Sequence, residues 1–483
     1  MLWELDDLIR VTQAEKLRWP AGAGPAVRAT QDLSAVGPQS LFFPMSWKSV
    51  EVLLFRQLQG AGAAGVVIYS GQEPPPEPGF PDLGVLSLPS PLEGYLRLAA
   101  AARRRAKPVV IGITGSSGKS STKEYLASIC RRAYRVSATR DSHNLITDCA
   151  DLFLDLRGTG DEAVVVEMGF GWRGDIARMA SLARPFGGII TKVTPDHLDG
   201  AGGSLQVLAQ EKGMLGLHLP PDGFFALSAD DPGSSLISRS GVRSRVVTFG
   251  GGPHADAGYE GVQMDEGGTT FRLRLFGEST PCHLRTFGEV QAANAAAAAL
   301  AGRLLGFSLE DVVTALEQTS PLHRRFAVHR YSHGLVVIDD TFSASIDAIM
   351  NGLRAATTLA GGRRLVAVIS GVAQLGVGSV SYHRALGSWL AGIVGTGGEL
   401  VLVVADERCD AVRAGALEAG FPAERIHLVE RIVDLPAQLL ALTLPDTVLY
   451  CKTSQFYWTG PQIDVYRESL PARGFVPLAE RVW

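Results

Sequence analysis

The run Thr114-Gly115-Ser116-Ser117-Gly118-Lys119-Ser120-Ser121 packs two glycines, a lysine and several hydroxyls into one short segment. It follows Val109–Ile113, which is β-branched and apolar apart from Gly112, and it precedes a segment that reads as a helix from Lys119 onward. A strand, a tight glycine turn and a helix N-terminus aim backbone N–H groups at one point, a geometry suited to an anion. Lys119 would add a point charge at the β- and γ-phosphates of a nucleotide, and the Ser120 hydroxyl would face Mg2+. The general pattern G-x-x-x-x-G-K-[ST] asks for glycine at 113, where this chain has Ile113. The competing reading is an ordinary strand–turn–helix corner with a surface lysine. Strand, turn and helix all fall where the motif needs them, so nucleotide binding is the stronger expectation.

Other groups could join such a site. Glu167 ends "VVVEMG", and a carboxylate at a strand tip suits Mg2+, which prefers oxygen donors. Taken alone, an acidic strand end is more often a helix cap or turn residue. His197 and Asp199, in "TPDHLDG", follow the next strand, where a single histidine is ordinarily structural. Lys212, in "AQEKGML", would ordinarily be a solvated helix lysine.

The elements that must hold these residues fall into three blocks. Residues 1–103 mix short strands such as "AAGVVIYS" with helical stretches and a proline-rich loop, "EPPPEPGFP". Residues 104–322 alternate strands ("KPVVIGIT", "EAVVVEMG", "FGGIITKVT") with helices, which predicts a mostly parallel sheet covered on both faces. An alanine-rich helix is expected at about Gln291–Leu305. Residues 323–483 form another α/β block with strands at "LVVIDD", "RLVAVISG", "ELVLVVAD" and "DTVLYCK". The fold class is therefore α/β in three domains: a small α/β N-terminal domain, a central P-loop ATPase domain and a C-terminal Rossmann-like domain. Open α/β sheets bind ligands beyond the C-terminal ends of their strands, and several of these strands end in polar residues.

Composition narrows the partners. The chain is 46% apolar and 19% charged with a net charge of −4, which gives no reason to expect nucleic acid or an anionic membrane. "MLWELDDLIR" carries acids where a signal peptide needs a basic start, and no apolar run reaches a spanning length. Five scattered cysteines without C-x-x-C spacing argue against structural zinc and a disulfide framework. A cytoplasmic enzyme is the simplest expectation.

The order T-G-S-S-G-K-S-S, E-M-G at 167–169, H-L-D at 197–199 and lysine at 212 resembles the Mur ligases, ATP-dependent amino-acid and peptide ligases of cell-wall precursor synthesis. "VVVEMGFGWRGDIARMASLARPFGGIITKVTPDHLDGAGGSLQVLAQEKGML" and "DDTFSASIDAI" are most similar to the branch that joins D-alanyl-D-alanine to a uridine-linked muramoyl tripeptide. The resemblance implies ATP and two Mg2+ sites, with Thr114, Gly115, Ser116, Ser117, Gly118, Lys119, Ser120 and Ser121 around the phosphates. It implies that Glu167 bridges the metal sites, that His197 helps bind the second Mg2+, and that Lys212 is carbamoylated. A carbamate would turn a cation into an anionic oxygen ligand. Asn294 would contact the adenine, and Arg325 and Asp340 would complete the nucleotide site. The first block would bind the acceptor. The partners implied are a carboxylate acceptor and an amino-acid or dipeptide amine, in a chain that is often a monomer.

The departures from the family pattern cluster. A D-S-R segment and a D-G-H segment are expected in the first block, but "TQDLSAVGPQSLFFPMSWKSVEVLL" offers Asp32-Leu33-Ser34 and no D-G-H. "HNLITDC" (His143–Cys149) stands for N-N-x-I-G-x-P, "DDTFSASI" lacks two asparagines at Ser343 and Ser345, "GEVQAAN" lacks a histidine, and "CKTSQ" lacks a glycine. Phosphate and metal groups are kept while recognition groups have changed. The leading expectation is thus a Mur-type amide ligase acting through an acyl phosphate on an acceptor other than the muramoyl peptide, in a natural-product or peptide pathway. The alternatives are the cell-wall reaction itself, an inactive relative serving as a binding subunit, and a generic P-loop kinase. A kinase leaves the third block with its Arg325 and Asp340 unexplained.

Overall fold

The computed structural model describes residues 1–20, 26–46, 52–75, 79–80, 82–156, 160–395, 397–404 and 406–478. The described chain forms two compact units. One comprises Met1–Gly112, Ala133–Met168 and Ala177–Phe186; the other comprises Ile113–Arg132, Gly169–Ile176 and Gly187–Trp483. Parts of the "EPPPEPGFP" loop and of the Thr30–Leu54 stretch lie outside the described residues.

In the first unit, Ala26–Thr30, Ser40–Phe42, Gly65–Tyr69 and Gly84–Leu88 pair in parallel, with Trp3–Glu4 and Glu15–Arg18 antiparallel at the two edges. Phe55, Leu58, Val66, Ile68 and Val85 share one core on this sheet. Helix Pro91–Ala106 follows. Ser90 caps it by accepting the Glu93 N–H, Pro91 supplies a preset φ in the first turn, and three arginines stand in the last turn, where the helix dipole favours cations. The same unit holds the parallel pair Val136–Ala138 and Ala163–Glu167.

The second unit holds the segments that carry most of the candidate residues. Gly187–Ile190, Phe224–Ser228 and Arg245–Gly250 run parallel. The sheet then changes character, because Ala257–Met264, Thr269–Leu275 and Glu278–Leu284 continue it as an antiparallel meander. Helix Glu289–Leu304 is buried nearly all round, with Ala295 to Ala299 inaccessible to water. Its small side chains let it lie close to helix Lys119–Cys130: a Cβ at Gly302 would stand 2.8 Å from Ile129 Cγ2. The expected alanine-rich helix is therefore present with its ends shifted by a residue or two.

A separate six-stranded sheet has the order Ala327–Arg330, Val336–Asp340, Thr447–Lys452, Arg364–Ser370, Glu399–Val403, Ile426–Val429, parallel except for its first strand. Alternate residues serve opposite cores: Val336 and Ile338 on one face, Val337 on the other. Burial on both faces is why these strands read as unbroken apolar runs. Among the described residues no helix is long and apolar enough to cross a membrane. All five cysteines are free and buried.

The edge strand of this sheet carries His329, whose Nδ1 faces Arg467 Nη2 at 2.9 Å. Burial first, and then the Arg467 charge, push its pKa from 6.5 down to about 4. Between those values the unfolded chain takes up a proton that the folded chain refuses, so stability falls as pH drops from 6.5 towards 4 and levels off below. His329→Gln should flatten that slope, sparing on the order of 1–2 kcal/mol at pH 5 in denaturant titrations run across this window. Parallel slopes for both proteins would show that His329 titrates normally.

Candidate active site

Strand Val109–Thr114 delivers the chain into a turn that only glycine can make at two places. Gly115 has φ 149° and Gly118 φ 84°. A Cβ on Gly115 would overlap Thr191 Oγ1, and one on Gly118 would overlap Asn294 Oδ1. The turn is clamped from its far side by Thr191–Thr194. Ser116 N–H donates to the Lys192 carbonyl at 2.7 Å, and Ser116 Oγ donates to the Thr194 carbonyl at 2.8 Å while accepting the Thr194 N–H at 3.1 Å. Thr191 Oγ1 donates to the Ser117 carbonyl at 2.6 Å. Helix Lys119–Cys130 then starts with no side-chain cap. Lys119 Nζ folds back onto the Gly115 carbonyl at 2.8 Å, and Ser120 and Ser121 lie in the first turn.

The strand end Thr191–Thr194 leads into His197, which adopts φ 51°. Its Nε2 is 3.9 Å from Asp196 Oδ2, and its Nδ1 is buried without a hydrogen-bond partner. Burial lowers the His197 pKa; the charges of Lys119 and Lys212 act the same way, while Asp196 and a hydrogen bond to Gln374 oppose them. Lys212, on helix Leu205–Leu217, is not a solvated lysine. It is only 2% exposed, and Phe170 lies 5.5 Å from its Nζ. Burial and then the Lys119 charge bring its pKa from 10.5 to about 7, against the pull of Asp196. Lys119, His197 and Lys212 thus act on one another electrostatically.

The C-terminal sheet contributes from its strand ends. Arg325 Nη2 donates to Ser120 Oγ at 3.1 Å, and its guanidinium lies 4.6 Å from the Phe342 ring. Asp340 pairs with Lys452 Nζ at 2.9 Å and accepts from Tyr450 OH at 3.1 Å. Lys452 belongs to the altered "CKTSQ" segment; burial lowers its pKa and Asp340 opposes the shift. Asn294 sits against Gly118 at the loop itself.

Glu167 belongs to the first unit. It is buried there, with its carboxylate accepting from Asn144 Nδ2 at 3.0 Å and its N–H donating to Thr139 Oγ1 at 3.0 Å. Asn144 comes from the altered "HNLITDC" loop. Among the described residues no cluster of three or more His, Cys, Asp and Glu side chains is arranged to hold a metal by itself.

Two residues that sequence reasoning did not single out stand at the mouth of the turn. Asp347, in the first turn of helix Ile346–Ala360, meets Lys192 Nζ at 2.5 Å through Oδ1 and accepts from Ser117 Oγ at 3.2 Å through Oδ2. Ser345, one of the two serines replacing asparagine, caps that helix by accepting the Ala348 N–H. The signals available were a lysine at a strand end and an acid just after a capping serine, both too common to stand out.

Lys119, Lys212, Arg325 and His197 thus stand with the glycine turn in the second unit. A family model for the Mur ligase middle domain matches residues 113–302. The UDP-N-acetylmuramoyl-tripeptide–D-alanyl-D-alanine ligase of Mycobacterium leprae is 30% identical over 482 residues, covering 90% of this chain and 91% of that protein. MurF from Acinetobacter baumannii superposes with a TM-score of 0.84 at 22% identity over 97% of this chain and 99% of that one. The MurF ligase of Thermotoga maritima in complex with ADP gives 0.78 at 20% identity, covering 92% and 98%. These two structural likenesses speak for the three-domain α/β fold.

Gly118→Ala should destabilise the protein by roughly 1–2 kcal/mol from the left-handed backbone alone, and by more from the overlap with Asn294. Adding Asn294→Ala should recover the second part and leave the first, a coupling readable in thermal midpoints. Strictly additive midpoints would remove the contact as a cause.

Proposed function

The chain belongs to the Mur ligase family, and on that premise we propose that it joins a D-alanyl-D-alanine dipeptide to the carboxylate end of a uridine-linked muramoyl tripeptide. In coarser terms it is an ATP-dependent amide-forming ligase. The observation that carries the finer reading is the 30% identity to the Mycobacterium leprae ligase, which runs through 90% of this chain and so through all three blocks. The comparisons support this cell-wall reading better than the expectation of a changed acceptor.

The residues present fit a nucleotide triphosphate. The turn can take no Cβ at Gly115 or Gly118, and Thr114 Oγ1, Thr194 Oγ1 and His197 Nδ1 are buried polar atoms without partners. Such atoms are costly unless a ligand satisfies them. ATP supplies a γ-phosphoryl group that turns the acceptor carboxylate into an acyl phosphate, which the amine attacks with loss of phosphate. Thr114–Ser121 would cradle the phosphates, with the Lys119 ammonium offsetting their charge. Asn294 would hold the adenine end, while Arg325 and Asp340 would bring the third block onto the nucleotide. Ser120, Glu167 and His197 would ligate Mg2+, a hard cation that suits the hydroxyl and carboxylate oxygens.

Lys212 fits the same donor set only as a carbamate, because an ammonium repels a divalent cation. Its buried position beside Lys119 favours the neutral amine at physiological pH, and only the neutral amine attacks CO2. The nitrogen–carbon bond forms, one proton leaves to water, and an anionic carbamate results. The protein incubated with 13C-bicarbonate should show one protected carbamate carbon signal that Lys212→Gln lacks. A spectrum unchanged by that substitution would reject the assignment.

A second reading, an acceptor other than the muramoyl peptide, has one observation in its favour. Asp32 spends its carboxylate on its own turn, accepting the Ser34 N–H at 2.9 Å and Ser34 Oγ–H at 2.7 Å. Phosphate release separates the two readings. With ATP, Mg2+, D-alanyl-D-alanine and the uridine-linked tripeptide all present, turnover should require every component, and Lys119→Ala should lower it by about two orders of magnitude or more. Background-level release with the complete mixture would sink the cell-wall reading and leave the second.

A further inference from the structure

Lys192 lies outside the residues assigned above, yet it is bonded to the same glycine turn that carries Lys119. Its backbone carbonyl accepts the Ser116 N–H, so the residue is fixed to the loop, while its side chain reaches the carboxylate of Asp347. That carboxylate is fully engaged. Oδ1 faces Lys192 Nζ at 2.5 Å, and Oδ2 accepts from Ser117 Oγ at 3.2 Å and from Asn351 Nδ2 at 3.0 Å. Lys192 and Asp347 retain 30% and 19% side-chain exposure, so the pair is reachable from solvent. An anion drawn from the third block thus sits on Ser117 of the glycine turn and on a lysine tied to that turn.

We propose that Lys192 is a second phosphate-binding cation of this site, and that Asp347 holds it together with Ser117 until a nucleotide phosphate takes the carboxylate's place. The proposal rests on the nucleotide-binding reading above. A polyphosphate brings more charge and more acceptor oxygens than one carboxylate, and lysine pairs with phosphate as a point charge, so the exchange is favourable. Asn351, one helical turn along, keeps a partner on Asp347 after release. Because Asp347 is in the first turn of helix Ile346–Ala360, the exchange would also free that helix start from the phosphate loop. Asp347 would then act as a built-in competitor that sets nucleotide affinity, and Lys192 as a group that nucleotide gains only on displacing it.

The two substitutions should move affinity in opposite directions, which a merely bracing ion pair would not do. In calorimetric titrations of the full chain without acceptor or amine, Asp347→Asn should tighten ATP and ADP by about fivefold, equivalent to about 1 kcal/mol for a partly exposed pair. Lys192→Gln should weaken both by a similar factor or more, Lys192→Arg should restore them, and adenosine should be unaffected throughout. Asp347→Ala is read in the same way as Asp347→Asn, and thermal melts confirm that each variant is folded. Weaker ATP binding by Asp347→Asn and Asp347→Ala would overturn the proposal, as would unchanged ATP binding by Lys192→Gln. If the unsubstituted chain bound no ADP, the nucleotide-binding reading itself would fall and take the inference with it. Normal ADP binding with indifferent variants would sink the inference alone.

Discussion

One backbone bend, from Gly115 to Gly118, fixes where most of the candidate groups in the second unit can stand. It is tight enough that Thr191 and Asn294 occupy the space of the missing Cβ atoms, so sheet and helix close on it from two directions. The reciprocal hydrogen bonds between Ser116 and Thr194 then lock the bend to the strand end that leads to His197. A change in the bend would propagate to Lys192, Asp196 and His197 through the backbone. It would reach Asn294 through van der Waals contact. The glycines therefore serve the placement of these neighbouring groups as well as the turn itself.

That geometry gathers positive charge into a partly dry region, and the cost shows in the titrating groups. Lys212 and His197 are both driven towards their neutral forms, first by burial and then by neighbouring cations. Two other lysines find acceptors: Lys119 Nζ donates to the Gly115 carbonyl and Lys192 Nζ pairs with Asp347. Each of these two cations is thus met by an oxygen of the protein itself. The same logic explains Arg325, whose donation to Ser120 Oγ ties the C-terminal sheet to the first turn of the loop helix.

Much of this was legible in the chain itself. The loop, its flanking strand and helix, the buried parallel strands and the alanine-rich helix all follow from short-range pattern. The antiparallel meander from Ala257 to Leu284 was not read. Thr269–Leu275 alternates buried and exposed positions, with Arg272 and Arg274 on the outward side, so it lacks the continuous apolar signature of its parallel neighbours. The burial of Lys212 was also hidden, since its helix carries apolar residues on most sides and offers no preferred face. The meeting of Lys192 with Asp347 joins residues 155 positions apart, a contact that local pattern does not encode.

The departures from the family pattern make physical sense when sorted by what satisfies each group. Ser345 caps a helix, Gln291 accepts from the Tyr125 hydroxyl at 3.3 Å, and Asp32 closes its own turn. These three residues have found work within their own chain. The retained residues are different: His197 keeps a buried nitrogen without a hydrogen-bond partner, and Lys212 is buried where the Lys119 charge adds to the push towards its neutral form. Folding alone gives no return on those arrangements, because an unpartnered buried polar atom and a desolvated ammonium both destabilise the native state. A bound anion would give such groups a partner, which is how the nucleotide reading proposed above accounts for them.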